Sequence, residues 1–227
     1  TKANISVRIN DEFMKAVENN QGYMCKYIVD ETGEEIVKNI NARNLFIKIC
    51  KNNWDYAEPG ILYWDKIKQY NLMSEDKTFK YSGVNPCAEE PLPSGGSCLL
   101  GSINLSEFVI QPFSINATFD INKFKSCVRE AVVALNEVLD EGIELHPLEE
   151  QKISVDKYRQ IGLGVMGIAD MLLKLNLKYG SDESINVCDF IAKNMLNEAV
   201  KQSALLAKEK GAFKEYKEEA IFKSPFF

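Results

Sequence analysis

The side chains of this sequence that are best suited to chemistry lie together in the segment Asn85-Pro86-Cys87-Ala88-Glu89. The thiol of Cys87 can act as a nucleophile or carry a hydrogen atom, and the carboxyl group of Glu89 can accept or donate a proton. Asn85 can hydrogen-bond a substrate hydroxyl or carbonyl without changing charge, and Pro86 fixes one backbone angle beside the thiol. In an extended segment positions 85, 87 and 89 point the same way, so we expect all three side chains to face one pocket.

The segment lies in an irregular stretch, residues 71–97, which contains aromatic and apolar residues as well as a thiol. Long loops inside compact domains are usually functional or disordered, and this composition favours function. A second thiol, Cys98, follows eleven positions after Cys87 and opens an apolar run that predicts a strand over 98–105. The alternative is an inert loop cysteine beside an ordinary Asn-Pro turn.

Periodicity predicts the elements that must hold this loop. Before it we expect a strand at 4–9, a short helix to 19 capped by Asn10 and Asp11, a hairpin of strands 23–29 and 34–38, a helix at 41–53 and a strand at 61–64. In the 41–53 helix, Leu45, Ile49 and Cys50 are predicted to face inward. Beyond Asp120 we expect helices at 121–141, 150–160, 165–176 and 183–210.

The 121–141 helix has a regular apolar stripe, formed by Phe124, Val128, Val132, Leu135 and Leu139. Cys127 lies beside that stripe and is interpreted as a packing residue.

The stretch Gly162-Leu-Gly-Val-Met-Gly167 fits the dinucleotide-binding pattern G-x-G-x-x-G. That pattern requires a preceding buried strand, whereas the residues before it, 156–160, are polar and typical of a helix. We therefore predict that these glycines permit close helix packing instead.

Composition excludes several classes of function. The chain has 227 residues, of which 45% are hydrophobic and 26% charged, and its net charge is −6. No basic cluster suits nucleic acid, no apolar run predicts a membrane span, and the first residues have no signal-peptide pattern, so a cytoplasmic protein is expected. The six cysteines form no Cys-x2-Cys pair and His146, before Pro147, is the only histidine, so neither zinc nor a structural disulfide framework is expected.

The sequence resembles the large catalytic subunit of ribonucleotide reductases, and most closely the adenosylcobalamin-dependent class II enzymes. The resemblance rests first on the Asn-Pro-Cys-Ala-Glu segment and covers essentially all 227 residues. The other matching segments, in chain order, are Asn4–Val7 with Asp11–Val17, Glu58–Tyr63, Ser97–Leu105 and Arg159–Met171.

The resemblance implies a role for each residue at the loop. Cys87 aligns with the cysteine that becomes a transient thiyl radical and takes the hydrogen from C3′ of the ribose. Glu89 aligns with the carboxylate that takes the 3′-hydroxyl proton, and Asn85 with the amide that binds the ribose hydroxyls. Ser97 is expected to contact substrate. Cys98 aligns with one member of the cysteine pair that is oxidised to a disulfide.

The implied fold is α/β: part of a ten-stranded α/β barrel, with a finger loop at about 82–97 and a helix-rich C-terminal half. The resemblance implies ribonucleoside diphosphate as substrate, adenosylcobalamin as cofactor and a thioredoxin-type reductant, and it leaves room for a homodimer. The second redox cysteine and the phosphate-binding segment have no counterpart in these residues, so an internal fragment that is inactive alone is expected. Cys25 and Cys50 do not match the surroundings of the missing cysteine.

Two alternatives remain open at this point. The first is a class I large subunit, which would use a radical from a separate metal-containing subunit. The second is a non-catalytic helical binding fragment in which the cysteines only pack.

Overall fold

The computed structural model describes residues 3–97 and 99–224, and it divides the chain into two compact units. The first unit is the described part of residues 1–91 together with residues 217–227, and the second is that of residues 92–216. The strands are β1 (Ser6–Ile9), β2 (Gly22–Ile28), β3 (Glu35–Asn41), β4 (Gly60–Tyr63), β5 (Gly83–Val84), β6 (Pro91–Leu92), β7 (Leu100–Asn104), β8 (Val109–Ile110), β9 (Thr118–Phe119) and β10 (Gly162–Met166). The helices are α1 (Asp11–Glu18), α2 (Ala42–Tyr56), α3 (Trp64–Gln69), α4 (Ile121–Ile143), α5 (Glu149–Tyr158), α6 (Ile168–Lys174), α7 (Asp182–Lys210) and α8 (Glu218–Phe222).

In the first unit, β1 pairs with β4 in parallel, in a register that sets Ser6 opposite Gly60, and β2 and β3 form an antiparallel hairpin. The side chain of Asn10 accepts the N–H of Phe13 at 2.8 Å, which satisfies one of the free donors at the start of α1. The apolar side of α1 then closes a small core, made of Ile9, Phe13, Ala16, Val17 and Ala42.

In the second unit, β7 pairs in parallel with β10, from Leu100 opposite Gly162 to Asn104 opposite Met166. Helix α4 packs against β7 of this pair and against α7. Its predicted stripe is confirmed, because all five side chains are buried. The core also takes in Met171 of α6 and Ile191 of α7, and Cys127 packs against it at the edge as predicted.

Most of the predicted elements are confirmed, with boundaries that shift by a few residues. The exception is the segment predicted as a helix over 165–176. Residues Gly162–Met166 are instead the strand β10, and the helix begins only at Ile168. The prediction that the glycines of this stretch serve helix packing is therefore wrong for Gly162 and Gly164, which lie in a strand paired with β7.

Gly167 directly follows that strand, and two features of the structure each require a glycine there. Its φ is +73°, in the left-handed region that favours glycine, and a Cβ atom there would lie 2.3 Å from Oδ1 of Asn104. The glycine thus allows the chain to turn from β10 into α6 directly against the end of β7.

The inward placement predicted for Cys50 is also wrong. Ile49 is buried, but Cys50 is exposed. The residues fall on neighbouring positions of one helical turn, and only the first faces the core.

The α/β class with a helix-rich second half is confirmed. Within residues 3–97 and 99–224 the strands form two-stranded ladders rather than a closed barrel. None of the helices in this described part is long and apolar enough to cross a membrane.

Candidate active-site loop

The loop that carries Cys87 runs from Asn85 to Glu90, between the short strands β5 and β6. Three hydrogen bonds close it. The N–H of Asn85 donates to the carbonyl oxygen of Glu90 at 3.1 Å, and the N–H of Ala88 donates to the carbonyl oxygen of Asn85 at 3.0 Å. The third runs from the N–H of Glu90 to the side-chain Oδ1 of Asn85, at 2.9 Å. The loop therefore has a defined shape.

That shape is a tight turn, and the extended conformation predicted for residues 85–89 is wrong. Ala88 has a φ of +69°, in the left-handed region. For a residue other than glycine this conformation costs about 1 kcal/mol. The turn breaks the alternation of side chains that an extended segment would have.

The three predicted side chains differ in their exposure to solvent. Asn85 is 7% exposed and its Oδ1 is engaged with the loop backbone. Cys87 is a free, exposed thiol, and Glu89 is exposed as well. The loop thus presents the thiol and the carboxylate outward and holds the amide inside.

The segment before the loop is stabilised by hydrogen bonds to the carboxylate of Asp76. Its Oδ1 accepts the N–H of Thr78 at 2.9 Å and the hydroxyl of Thr78 at 2.7 Å. Lys217 Nζ donates to both carboxylate oxygens, at 2.9 and 2.8 Å. The Lys217 ammonium, with Thr78, lowers the pKa of Asp76 to about 2, although the burial of the carboxylate opposes this. Closer to the loop, burial raises the pKa of Tyr81.

Two side chains near the start of the chain contact the backbone on the N-terminal side of Cys87. Arg8 Nη1 donates to the carbonyl oxygen of Ser82 at 3.2 Å, and Asn4 Nδ2 donates to that of Pro86 at 3.4 Å. Sequence reasoning missed both residues. The available signal was the alternation of the strand predicted over 4–9, which places positions 4 and 8 on the same side.

Ser97 belongs to the second unit, where it is half-buried. It lines a cavity of about 240 Å³ with Leu99, Leu139, His146 and Gln160, among others. Cys98 lies outside the described residues.

The remaining described cysteines have no partner thiol. Burial, followed by the charge of Glu130, raises the pKa of Cys127, which suits its packing role. In the described part of the chain no group of three or more His, Cys, Asp and Glu side chains could hold a metal ion.

Comparison with known proteins identifies relatives across nearly the whole chain. The family model for the barrel domain of ribonucleotide reductase matches residues 1–226. The chain is 35% identical over 210 residues to a vitamin B12-dependent ribonucleoside-diphosphate reductase of Thermoplasma acidophilum, covering 92% of this chain and 26% of the relative. It is 31% identical over 221 residues to an enzyme of the same name from Mycobacterium tuberculosis, covering 97% of this chain and 30% of the relative.

A third relative carries a different name. The chain is 30% identical over 192 residues to the ribonucleoside-diphosphate reductase subunit alpha of Chlamydia trachomatis, covering 82% of this chain and 18% of the relative. Among solved structures, the alpha subunit of a class Id ribonucleotide reductase from Actinobacillus ureae matches with a TM-score of 0.71 and 19% identity, over 93% of this chain and 37% of the other. That likeness concerns the fold alone. The chain spans less than a third of the length of these three relatives.

Proposed function

Because the chain belongs to the ribonucleotide reductase barrel-domain family, we propose that it is the part of a vitamin B12-dependent ribonucleoside-diphosphate reductase that carries the radical cysteine. The full enzyme converts ribonucleoside diphosphates to 2′-deoxyribonucleoside diphosphates. The observation that carries the proposal is the closed 85–90 loop, in which the side chains of Cys87 and Glu89 are both exposed.

In the proposed reaction Cys87, as a thiyl radical, takes the hydrogen atom from C3′ of the ribose. Glu89 takes the proton of the 3′-hydroxyl, and the 2′-hydroxyl leaves as water after it is protonated. Cys98 and a second thiol outside this chain supply two electrons and two protons and become a disulfide. The hydrogen atom then returns from Cys87 to C3′. The sum is one ribonucleotide and one dithiol giving one deoxyribonucleotide, one disulfide and one water.

The geometry of the loop supports the two proposed roles, hydrogen-atom transfer by Cys87 and proton transfer by Glu89. A general base needs hydrogen-bond reach to the proton it removes, and the two residues are separated by one position in a tight turn. Asn85 has a substrate-binding role in this proposal through its amide, while its Oδ1 holds the loop closed. Ser97 is proposed as a second substrate contact.

The cofactor proposed for the full enzyme is adenosylcobalamin, which when bound would supply a radical able to remove the hydrogen atom of the Cys87 thiol. Cobalt inside a corrinoid ring needs no cluster of protein side chains, and the described residues contain none. Cys87 is a free thiol and so has the hydrogen atom that this chemistry would remove. We assign no residue of this chain to hold the corrinoid.

The parallel pairs β1–β4 and β7–β10 are proposed as parts of the ten-stranded barrel of the family. Both have the parallel pairing that such a barrel requires, and each has the register of a regular ladder. A thioredoxin-type reductant, a homodimer and a cytoplasmic location complete the proposal for the full-length enzyme.

The second candidate function keeps the reaction and changes the source of the radical. The relative named subunit alpha matches 82% of this chain, which favours considering a separate radical-generating subunit. Turnover that needs added adenosylcobalamin and no second protein supports the first candidate, and turnover that needs a second protein supports the other.

The decisive experiment measures reduction of a ribonucleoside diphosphate by the full-length enzyme and by its Cys87→Ser variant. We expect the variant to lose turnover completely, since serine cannot carry the hydrogen atom. Cys50→Ser is the matched control, because Cys50 is another exposed thiol of the same unit and is expected to be dispensable. Turnover that survives in Cys87→Ser would refute the assignment.

A further inference from the structure

The three hydrogen bonds inside the 85–90 loop fix its shape, but they do not fix where the loop lies. All three join residues 85, 88 and 90 to one another. Placement requires contacts between the loop and another element. Among the described residues of the first unit, Asn4 and Arg8 at the start of the chain make such contacts with the backbone at or just before the loop.

These contacts are hydrogen bonds to the backbone on the N-terminal side of Cys87. Arg8 holds the carbonyl of Ser82, three residues before Asn85, and Asn4 reaches the carbonyl of Pro86, the residue next to Cys87. The acceptors are main-chain atoms, so the contacts constrain the course of the chain rather than one side-chain rotamer. The ladder extends to Ile5, whose carbonyl accepts the N–H of Gly60 at 2.8 Å, so Asn4 immediately precedes paired backbone.

Arg8 is itself held in place by two neighbours. It lies in the β1–β4 ladder opposite Leu62, and its guanidinium lies over the ring of Trp64, 4.7 Å from the ring centroid. Trp64 begins α3 directly after β4. A cation over an indole face is attracted to it and loses part of its conformational freedom. The guanidinium N–H groups of Arg8 are therefore held in one orientation, in which Nη1 donates to the Ser82 carbonyl. Arg8 can therefore transmit the position of the ladder to the loop.

We propose that Arg8, with Asn4 as a second contact, is a positioning residue for Cys87. It acts on the reaction by holding the loop at the distance from C3′ that hydrogen transfer needs. This inference rests on the proposed function, and it adds two residues to that site. Hydrogen transfer is sensitive to placement, since an error of about 1 Å can cost about a hundredfold in rate.

The test uses the full-length enzyme with Arg8→Met, which keeps an apolar stem and removes every donor. We expect kcat to fall about tenfold and the KM for the nucleotide to change less than about twofold, because placement of the thiol and not nucleotide binding is disturbed. We also expect the rate of Cys87 alkylation by iodoacetamide, followed by mass spectrometry without any cofactor, to rise at least about threefold as the loop loosens.

Arg43→Met is the matched control. Arg43 also donates to main-chain carbonyls of the first unit, those of Val17 at 2.9 Å and Glu18 at 2.6 Å, but it does not touch the loop. We expect it to leave kcat and Cys87 alkylation unchanged even where it lowers the melting temperature. Equal effects of the two variants would overturn the proposal, because they would show a general loss of stability.

Two further variants keep the test decisive if Arg8→Met does not fold. Arg8→Lys retains a cation over Trp64 and one possible donor, and it is expected to restore kcat to within about threefold of the wild type. Asn4→Ala removes an exposed side chain and is expected to raise Cys87 alkylation by a smaller factor than Arg8→Met. If Asn4→Ala leaves both Cys87 alkylation and kcat at the wild-type values, the proposal is overturned.

The outcomes separate this inference from the proposed function. If the wild-type enzyme reduces no nucleotide, the proposed function fails, and the alkylation rates still decide whether β1 positions the loop. If the enzyme is active and Arg8→Met changes neither alkylation nor kcat, the positioning role fails alone.

Discussion

The side-chain oxygen Oδ1 of Asn85 accepts a hydrogen bond from the backbone N–H of Glu90 at 2.9 Å, across the loop that carries Cys87. Asn85 is 7% exposed, so this bond forms largely out of water, where an unmade partner is costly. The residue that sequence reasoning assigned to substrate binding is thus also a structural part of the loop. The loop uses the amide oxygen, whereas the proposed substrate contact would use the amide nitrogen.

Substitutions at Asn85 can separate the two roles. Asn85→Ala removes both, and we expect hydrogen exchange at the Glu90 amide to accelerate at least about tenfold, since its acceptor is lost. Asn85→Asp retains an oxygen at the same place, and we expect the Glu90 amide to stay protected. Nucleotide reduction by the full-length Asn85→Asp variant then reports on the loss of the amide N–H donors together with the added negative charge. An unprotected Glu90 amide in Asn85→Asp would contradict the structural role.

Glu89 is the exposed carboxylate of the same turn, and its proposed work is proton transfer. Glu89→Gln keeps the shape and removes the basic oxygen, so kcat of the full-length enzyme should fall by about a hundredfold or more, the range of general base catalysis. The KM for the nucleotide should change little.

The neighbouring residue provides the control for that measurement. Glu90→Gln is the same chemical change one position further along, on a buried side chain. We expect its effect on kcat to be less than about tenfold, because the loop contact of Glu90 to Asn85 is made by its backbone. Equal losses in the two variants would argue against a specific role for Glu89.

The parts of the fold that could be predicted from the sequence are those set by local periodicity. Helix α4 shows this best: Phe124, Val128 and Val132 recur at helical spacing, and each is buried. The predicted cap of α1 at Asn10 is of the same kind, because its side chain accepts the N–H of Phe13, three residues ahead.

Strand β10 could not be predicted in this way. It has five residues, two of them glycine, and it directly follows a polar helix, so its own pattern carries little strand signal. Its stabilising partner is β7, about sixty positions earlier in the chain, and pairing over that distance leaves no local signature.

The geometry of the candidate loop could not be predicted from the sequence. The order of Asn, Cys and Glu drew attention to the loop, but the left-handed Ala88 that makes it a turn has no signal in the sequence. The contact from Arg8 to Ser82 joins residues 74 positions apart, which only the folded chain brings together.

Gly167 offers a prediction about the junction between β10 and α6. Gly167→Ala should lower the free energy of unfolding by about 2–4 kcal/mol, because φ is +73° and the new Cβ would overlap Oδ1 of Asn104. That oxygen cannot easily retreat, since it accepts the N–H of Ser106 at 3.2 Å. Urea unfolding of the full-length protein measures the change.

Gly142 is the matched control for this substitution. It lies near the end of α4, and a Cβ atom there would meet nothing within 4 Å. Gly142→Ala should raise stability by about 0.5–1 kcal/mol through helix propensity. A Gly167→Ala variant as stable as Gly142→Ala would show that the junction adapts.

The buried carboxylate of Asp76 makes the stability of the first unit depend on pH. Its side chain is 3% exposed and pairs with Lys217, whose side chain is 43% exposed. The pKa of Asp76 is lowered from 3.8 to about 2, so its contribution is fully present above about pH 4 and is lost as the pH falls through about 2. Asp76→Asn should therefore destabilise the full-length protein by about 2 kcal/mol at pH 7, a value reduced to allow for the exposed lysine. The difference from the wild type should shrink steadily between pH 4 and pH 2, as measured by urea unfolding at a series of pH values.

Lys217→Met should remove the same pH dependence, because it removes the main cause of the lowered pKa. Asp65→Asn is the control at a more exposed ion pair, in which Asp65 and Lys68 are 2.8 Å apart, and it should cost less than about 1 kcal/mol. A difference between Asp76→Asn and the wild type that persists unchanged to pH 2 would mean that shape, and not the charge of Asp76, stabilises this turn.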